Sequence, residues 1–176
     1  PVAALAFAWQ WASLPRMPAR ATAAPGTVLA LLWRRPVRWG MAACGAFFMG
    51  QFALFTYVRP FLETVTHAGA TAVSMVLLAI GVSGFIGTVL VGRALAHGLY
   101  RTLVATPMLM AAIAVLLVPF GAQLWPVAAL LSVWGLLATA APVGWWSWLA
   151  DTFKDDAEAG GGLMVAVVQC SIAVGS

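Results

Sequence analysis

Few side chains in this sequence carry chemistry, and their spacing suits recognition better than bond-making. Gln51 is the one strongly polar residue in an uncharged run from Trp39 to Val58. Its amide holds donors and an acceptor side by side, as the edge of a heterocycle or a sugar would require. Phe47 and Phe55 lie four residues to either side, so in a helix they share its face and offer rings for stacking. Gln169 sits in the middle of a second apolar run, while Trp134 and the group Trp145, Trp146 and Trp148 supply further aromatic surface. Arg59 and Glu63, four apart, are placed to gate the mouth of a pathway, and Asp151 to pair with Arg93 or Arg101.

Each of these residues also has a plainer role. The amides could hydrogen-bond across helix interfaces, contributing about 0.6–2 kcal/mol each. Phenylalanines often only pack or face lipid, and the tryptophans at 145, 146 and 148 fit an interfacial aromatic belt, with a bend near Pro142 and Gly144 turning one of them inward. A solvated Arg59–Glu63 pair contributes at most about 1 kcal/mol. Asp155, Asp156 and Glu158 read as a solvated loop. The sequence contains no phosphate-cradling loop, no nucleophile beside a base and no metal-ligand spacing, and the two cysteines lie in apolar runs. An ATP-driven pump and an enzyme therefore find no support, and no cofactor is expected.

The elements that position these residues follow from composition. The chain is 63% hydrophobic and 8% charged, with a mean hydropathy of +0.97, whereas soluble domains carry about 25% charged residues. Too little polar surface exists to cover a water-facing globule, so the lipid bilayer is the expected solvent. About 20 apolar residues span a hydrocarbon core, and in lipid such segments must be helical. Spans are expected near residues 39–58, 71–91, 102–120, 126–149 and 160–176, after the end of an earlier apolar segment over 1–14. Residues 15–38 are rich in proline and arginine and form a hydrophilic connection, with a short helix over Val28–Arg34. The central span is expected to close at Arg59-Pro60, and Arg93–Arg101 to form a loop. Ala79, Ser83 and Gly87, with Gly84, Thr88 and Gly92 beside them, give the second span a small-residue face for close helix contact. Eight of the nine basic residues fall on one side, which the positive-inside rule makes cytoplasmic. They sit beside spans and form no continuous stripe, so nucleic-acid binding is not expected. Both ends fall within apolar runs, so the sequence reads as part of a longer protein.

Two stretches carry a family resemblance: GQFALFTYVRPFLE (50–63) and PVGWWSWLADTFKDDAEAGGGLMVAVVQ (142–169). They are similar to the seventh-helix and tenth-to-eleventh-helix regions of the drug–proton antiporter family of the major facilitator superfamily, which includes purine ribonucleoside and sugar exporters. The resemblance implies an all-α integral membrane fold, the carboxy-terminal half of a twelve-helix bundle. It maps 1–14 to the end of helix six, 15–38 to the central cytoplasmic loop, and 39–176 to helices seven to ten and most of eleven. It further implies a multi-pass protein of the bacterial inner membrane that exports a small solute, such as a purine ribonucleoside, against protons by alternating access. Its partners would be the amino-terminal half of the same protein, the substrate and protons. The coupling acid would lie in that other half, since no carboxylate falls within an expected span. On this mapping Gln51, Phe47, Phe55, Trp134, Trp145 and Gln169 are candidate substrate contacts, and Arg59, Glu63 and Asp151 candidate gating residues. Sugar or multidrug efflux, or a non-transporting scaffold, are the alternatives. One departure is GRALAHGLYR (92–101), where His97 stands in place of the aspartate of the family's gating motif.

Overall fold

The computed structural model describes residues 30–154 and 156–176, together with Trp9 and Ser13. The segment expected over 1–14, most of the connection over 15–38 and Asp155 lie outside the described residues. Five helices follow: α1 Arg35–Thr64, α2 Ala70–Ala96, α3 Leu99–Phe120, α4 Leu124–Thr152 and α5 Ala157–Gly175. All five are long and apolar enough to cross a membrane. Large apolar side chains cover the outside of the bundle, among them Phe85, Val118 and Trp125, which are 73%, 82% and 82% exposed. Such a surface is stable only against lipid, and the chain is a multi-pass membrane protein.

Helix ends differ from expectation where proline is concerned. Pro36 lies in the first turn of α1, where its missing N–H costs nothing, so the helix starts before Trp39. The expected closure at Arg59-Pro60 does not occur, and α1 runs on to Thr64. Pro60 deprives only the Thr56 carbonyl of its bond, and both residues are exposed near the helix end. The loop expected over Arg93–Arg101 shrinks to His97 and Gly98 between α2 and α3. Gly98 makes so short a reversal possible with φ 140°. His97 donates from Nδ1 to the Arg93 carbonyl at 2.7 Å, which closes the end of α2.

The helices do not pair in chain order. The most extensive contact is α2 with α4, followed by α1 with α5 and α3 with α4. Small residues explain the first pair. A Cβ on Gly87 would overlap the Leu136 backbone, and one on Gly135 would come within 2.7 Å of the Ile80 carbonyl. At Gly84 the approach is close enough for Thr139 Oγ1 to donate to its carbonyl at 2.6 Å. The small-residue face therefore works at Gly84 and Gly87, whereas Gly92 faces open space. The α1–α5 pair uses the same device, with Gly45 against Ser171 and Val167 and Gly175 against the Met49 backbone.

Contacts at the two ends show that consecutive helices alternate in direction. Thr66, just after α1, donates through Oγ1 to the carbonyl of Gly121, just after α3, at 2.7 Å. At the opposite end Arg34 Nη1 meets Asp156 Oδ2 at 3.6 Å. That second end gathers Arg34, Arg35, Arg38, Arg93, Arg101 and Lys154, while Arg59 lies at the first. Asp151 does not pair with Arg93 or Arg101 as expected. Its partner is Lys154 at 3.2 Å, three residues on, because the α4 end unwinds at Phe153 and brings the lysine back beside it.

Candidate binding site

The site is built at a seam where α1 and α4 run in opposite directions. Their backbones stay apart, and side chains fill the space between. Along α1, Phe47, Gln51 and Phe55 succeed one another at one helical face. Along α4 their counterparts come in reverse order. Phe47 meets Trp145 with ring centroids 6.3 Å apart. Gln51 meets Ala138, and Phe55 stacks on Trp134 at 6.2 Å with the rings 15° from parallel. Thus five of the six residues expected to touch substrate lie along one line, and each aromatic pair brackets the amide.

The Gln51 contact has a definite chemical cause. Pro142 lies inside α4 and has no N–H, so the carbonyl of Ala138, four residues earlier, receives no bond from its own helix. Gln51 fills that vacancy, donating from Nε2 to the Ala138 oxygen at 3.3 Å. A carbonyl can only accept, so the nitrogen must face Ala138 and the orientation of the amide is fixed. The other end of the group, Oε1, is enclosed and has no hydrogen-bond partner. An enclosed acceptor left in that state costs about 1–3 kcal/mol, an expense that a suitable donor would remove.

Beside the amide lies a cavity of about 210 Å³, lined by Phe47, Gly50 and Leu54 of α1, by Trp134 of α4, and by Pro107 and Met110 of α3. Gln51 is its one strongly polar side chain. Sequence reasoning missed the share of α3, whose wall residues are apolar and carry no polar signal. It also missed Ala138 as a contact, although the position of Pro142 marks which carbonyl is left bare.

Gln169 lies apart from this line. It is exposed and borders a second cavity of about 230 Å³ with Phe48, Pro142, Trp145 and Trp146. Trp145 and Phe47 together form the partition between the two cavities. The aromatic-belt expectation does not suit Trp145 and Trp148, which are 6% and 5% exposed and face inward, whereas Trp146 points outward. Residues 145 and 148 are three apart and share an inward face, and Gly40 of α1 leaves the room that the Trp148 ring occupies. Arg59 Nε donates to Glu63 Oε1 at 2.8 Å, and both side chains are largely exposed on the same helix. Among the described residues neither side chain forms an ion pair with a second helix.

Two groups of relatives share this framework. The chain is 59% identical over 182 aligned positions to a Pseudomonas aeruginosa protein named transcription regulatory protein OpdE, covering 100% of this chain and 45% of that protein. It is 34% identical over 175 positions to the purine ribonucleoside efflux pump NepI of Salmonella typhimurium, covering 97% of this chain and 44% of the pump. The chain is homologous to the efflux pump. NepI proteins of other Salmonella strains match to the same extent. No protein-family model matches the chain, and it spans less than half the length of either relative. Membrane-crossing helices together with efflux-pump relatives fit a transporter that is not an enzyme.

Proposed function

We propose that this chain forms one helical half of a secondary-active exporter of the major facilitator superfamily, in its drug–proton antiporter family. The observation that carries the reading is the likeness to a named efflux pump along 97% of the chain, through every span that contributes to the two cavities. The nested pairing supports it, since α1 with α5 and α2 with α4 make a closed half-bundle that can rock as one body. In this reading residues 15–34 are the central cytoplasmic loop, and the helices from Arg35 onward belong to the carboxy-terminal half in the bacterial inner membrane. The relatives' remaining length leaves room for the other half and for the acid that couples transport to protons.

The substrate we assign is a small polar solute with a planar base, a purine ribonucleoside. Between their charged ends the helices hold no charge to pair with an ion, and the seam sets an amide between ring pairs. Phe47, Gln51 and Trp134 contact it in the first cavity, with Phe55 stacked against Trp134; Trp145 and Gln169 line the second cavity along the pathway, and Arg59, Glu63 and Asp151 act at its two ends. The regulatory name of the Pseudomonas relative is compatible with export, because removal of an inducing solute changes transcription without any contact with nucleic acid.

The test uses the full-length parent protein in cells loaded with labelled inosine. Efflux that collapses with the proton gradient is the expected result. Absence of purine efflux would remove the nucleoside assignment in favour of a sugar or a drug. A second measurement separates a transporter from a scaffold. With Cys44 and Cys170 replaced, cysteines placed at positions 51 and 169 should react with a water-soluble thiol reagent. Protection of both under every condition would favour the scaffold.

A further inference from the structure

We infer that Pro142 is a positioning residue for Gln51, and that Pro142, Ala138 and Gln51 act as one unit that holds an amide oxygen ready for a ligand donor. The inference deepens the proposed binding site and rests on that reading for its ligand. Three observations carry it. Pro142 strips the Ala138 carbonyl of its helical donor. The Gln51 nitrogen reaches across 87 residues of sequence to that carbonyl, at 3.3 Å. The Gln51 oxygen is enclosed with no donor, and Gln51 lines a cavity whose other lining side chains are apolar apart from the indole N–H of Trp134.

Taken together they give the proline a purpose beyond bending α4. A glutamine amide can turn over by 180° with little change in shape, so an unanchored one presents donor or acceptor indifferently. The bare carbonyl removes that freedom. It takes the nitrogen and leaves the oxygen as the acceptor without a partner, which selects ligands that bring an N–H or O–H. An amide N–H of a neutral heterocycle fits this description, and a quaternary ammonium or a halogenated ring does not. The same bond spans the seam where the α1 and α4 backbones are separated by rings, so it sets the distance between them.

The unit makes a prediction about pairs of substitutions. In the full-length parent, Gln51→Leu leaves the Ala138 carbonyl bare and should lower the thermal midpoint in detergent. In a Pro142→Ala background, residue 142 supplies its own N–H to Ala138, and the same Gln51→Leu change should leave the midpoint nearly unmoved. Equal losses in the two backgrounds would overturn the unit. This readout needs no substrate, so it stands or falls separately from the nucleoside assignment. Gln51→Met, closer in shape, serves where Gln51→Leu yields too little protein.

Transport then distinguishes positioning from packing. Pro142→Ala frees the amide to turn and should raise the KM for inosine efflux while the maximal rate is largely kept. The double variant Gln51→Leu/Pro142→Ala should regain stability and still show KM raised by roughly five- to a hundred-fold, the loss of one buried hydrogen bond. Wild-type KM in the stable double variant would show that Gln51 serves only the carbonyl, and the positioning role would fall.

Discussion

Gly87→Val should abolish the folded state of the protein, whereas Gly92→Val on the same helix should leave it nearly unchanged. A Cβ at position 87 overlaps the main chain of Leu136, and no rotamer change can move a backbone aside. The only relief is separation of α2 from α4, which are the most closely paired helices of the bundle. Separation also breaks the bond from Thr139 to the Gly84 carbonyl. Between lipid-embedded helices there is little hydrophobic drive to compensate, because lipid tails are as apolar as the partner. Overpacking of a core costs about 1–3 kcal/mol when side chains can adjust, and here they cannot, so the loss should lie above about 3 kcal/mol. At Gly92 nothing lies within 4 Å, so added methyl groups meet open space. Thermal scans of both variants by fluorescence-detected size exclusion give the answer. Similar midpoints for the two would refute close packing at Gly87.

Trp134→Ala should be the next most damaging change, and it should reach both stability and transport. The indole is 2% exposed, stacks on Phe55 and forms one wall of the cavity beside Gln51. Its removal joins the vacated volume to that cavity and strips Phe55 of its partner. Tryptophan-to-alanine changes in water-soluble cores cost about 3–5 kcal/mol. In lipid the transfer component is small, but the lost dispersion contacts remain, which places the expected cost near the lower end at about 3 kcal/mol. Trp134→Phe keeps a ring against Phe55 and should recover more than half of the midpoint. If the proposed substrate is correct, inosine efflux should fall further with Trp134→Ala than surface expression does. An unshifted midpoint for Trp134→Ala would refute the assignment of Trp134 as a wall.

Some of this was legible in the residues themselves. Uncharged runs of about 20 residues mark the spans, because lipid admits few other structures, and the arginine bias marks which ends lie together. Gln51 stood out because an amide has no business in hydrocarbon without a partner. What the sequence could not reveal was the identity of that partner. Pro142 shows that Ala138 lacks a donor, yet only the fold brings α1 to the bare carbonyl. Pairing of α1 with α5 was likewise invisible, since Gly45 and Gly175 resemble any other small residues until their neighbours are known. The burial of Trp148 depends on Gly40, more than a hundred residues earlier. Proline was misread at position 60 because a helix near its exposed end tolerates one lost bond.

The nested pairing also sets an order of events at the ribosome. Helix α1 is synthesised first, but its Gln51 amide must wait in the membrane for an acceptor made 87 residues later. At about 5–20 residues per second the delay is roughly 4–17 s. During that interval the amide has to be sheltered, by the insertion machinery or by an earlier part of the nascent protein. Helix α2 likewise waits for α4, since Gly84 and its Thr139 donor are 55 residues apart. The most extensive interface cannot form until α4 arrives, and then the α2–α4 contact and the Gln51 bond form almost together. A pause in translation placed before α4 would therefore prolong the vulnerable stage, while one placed after α4 would meet a bundle that lacks only the α1–α5 pair.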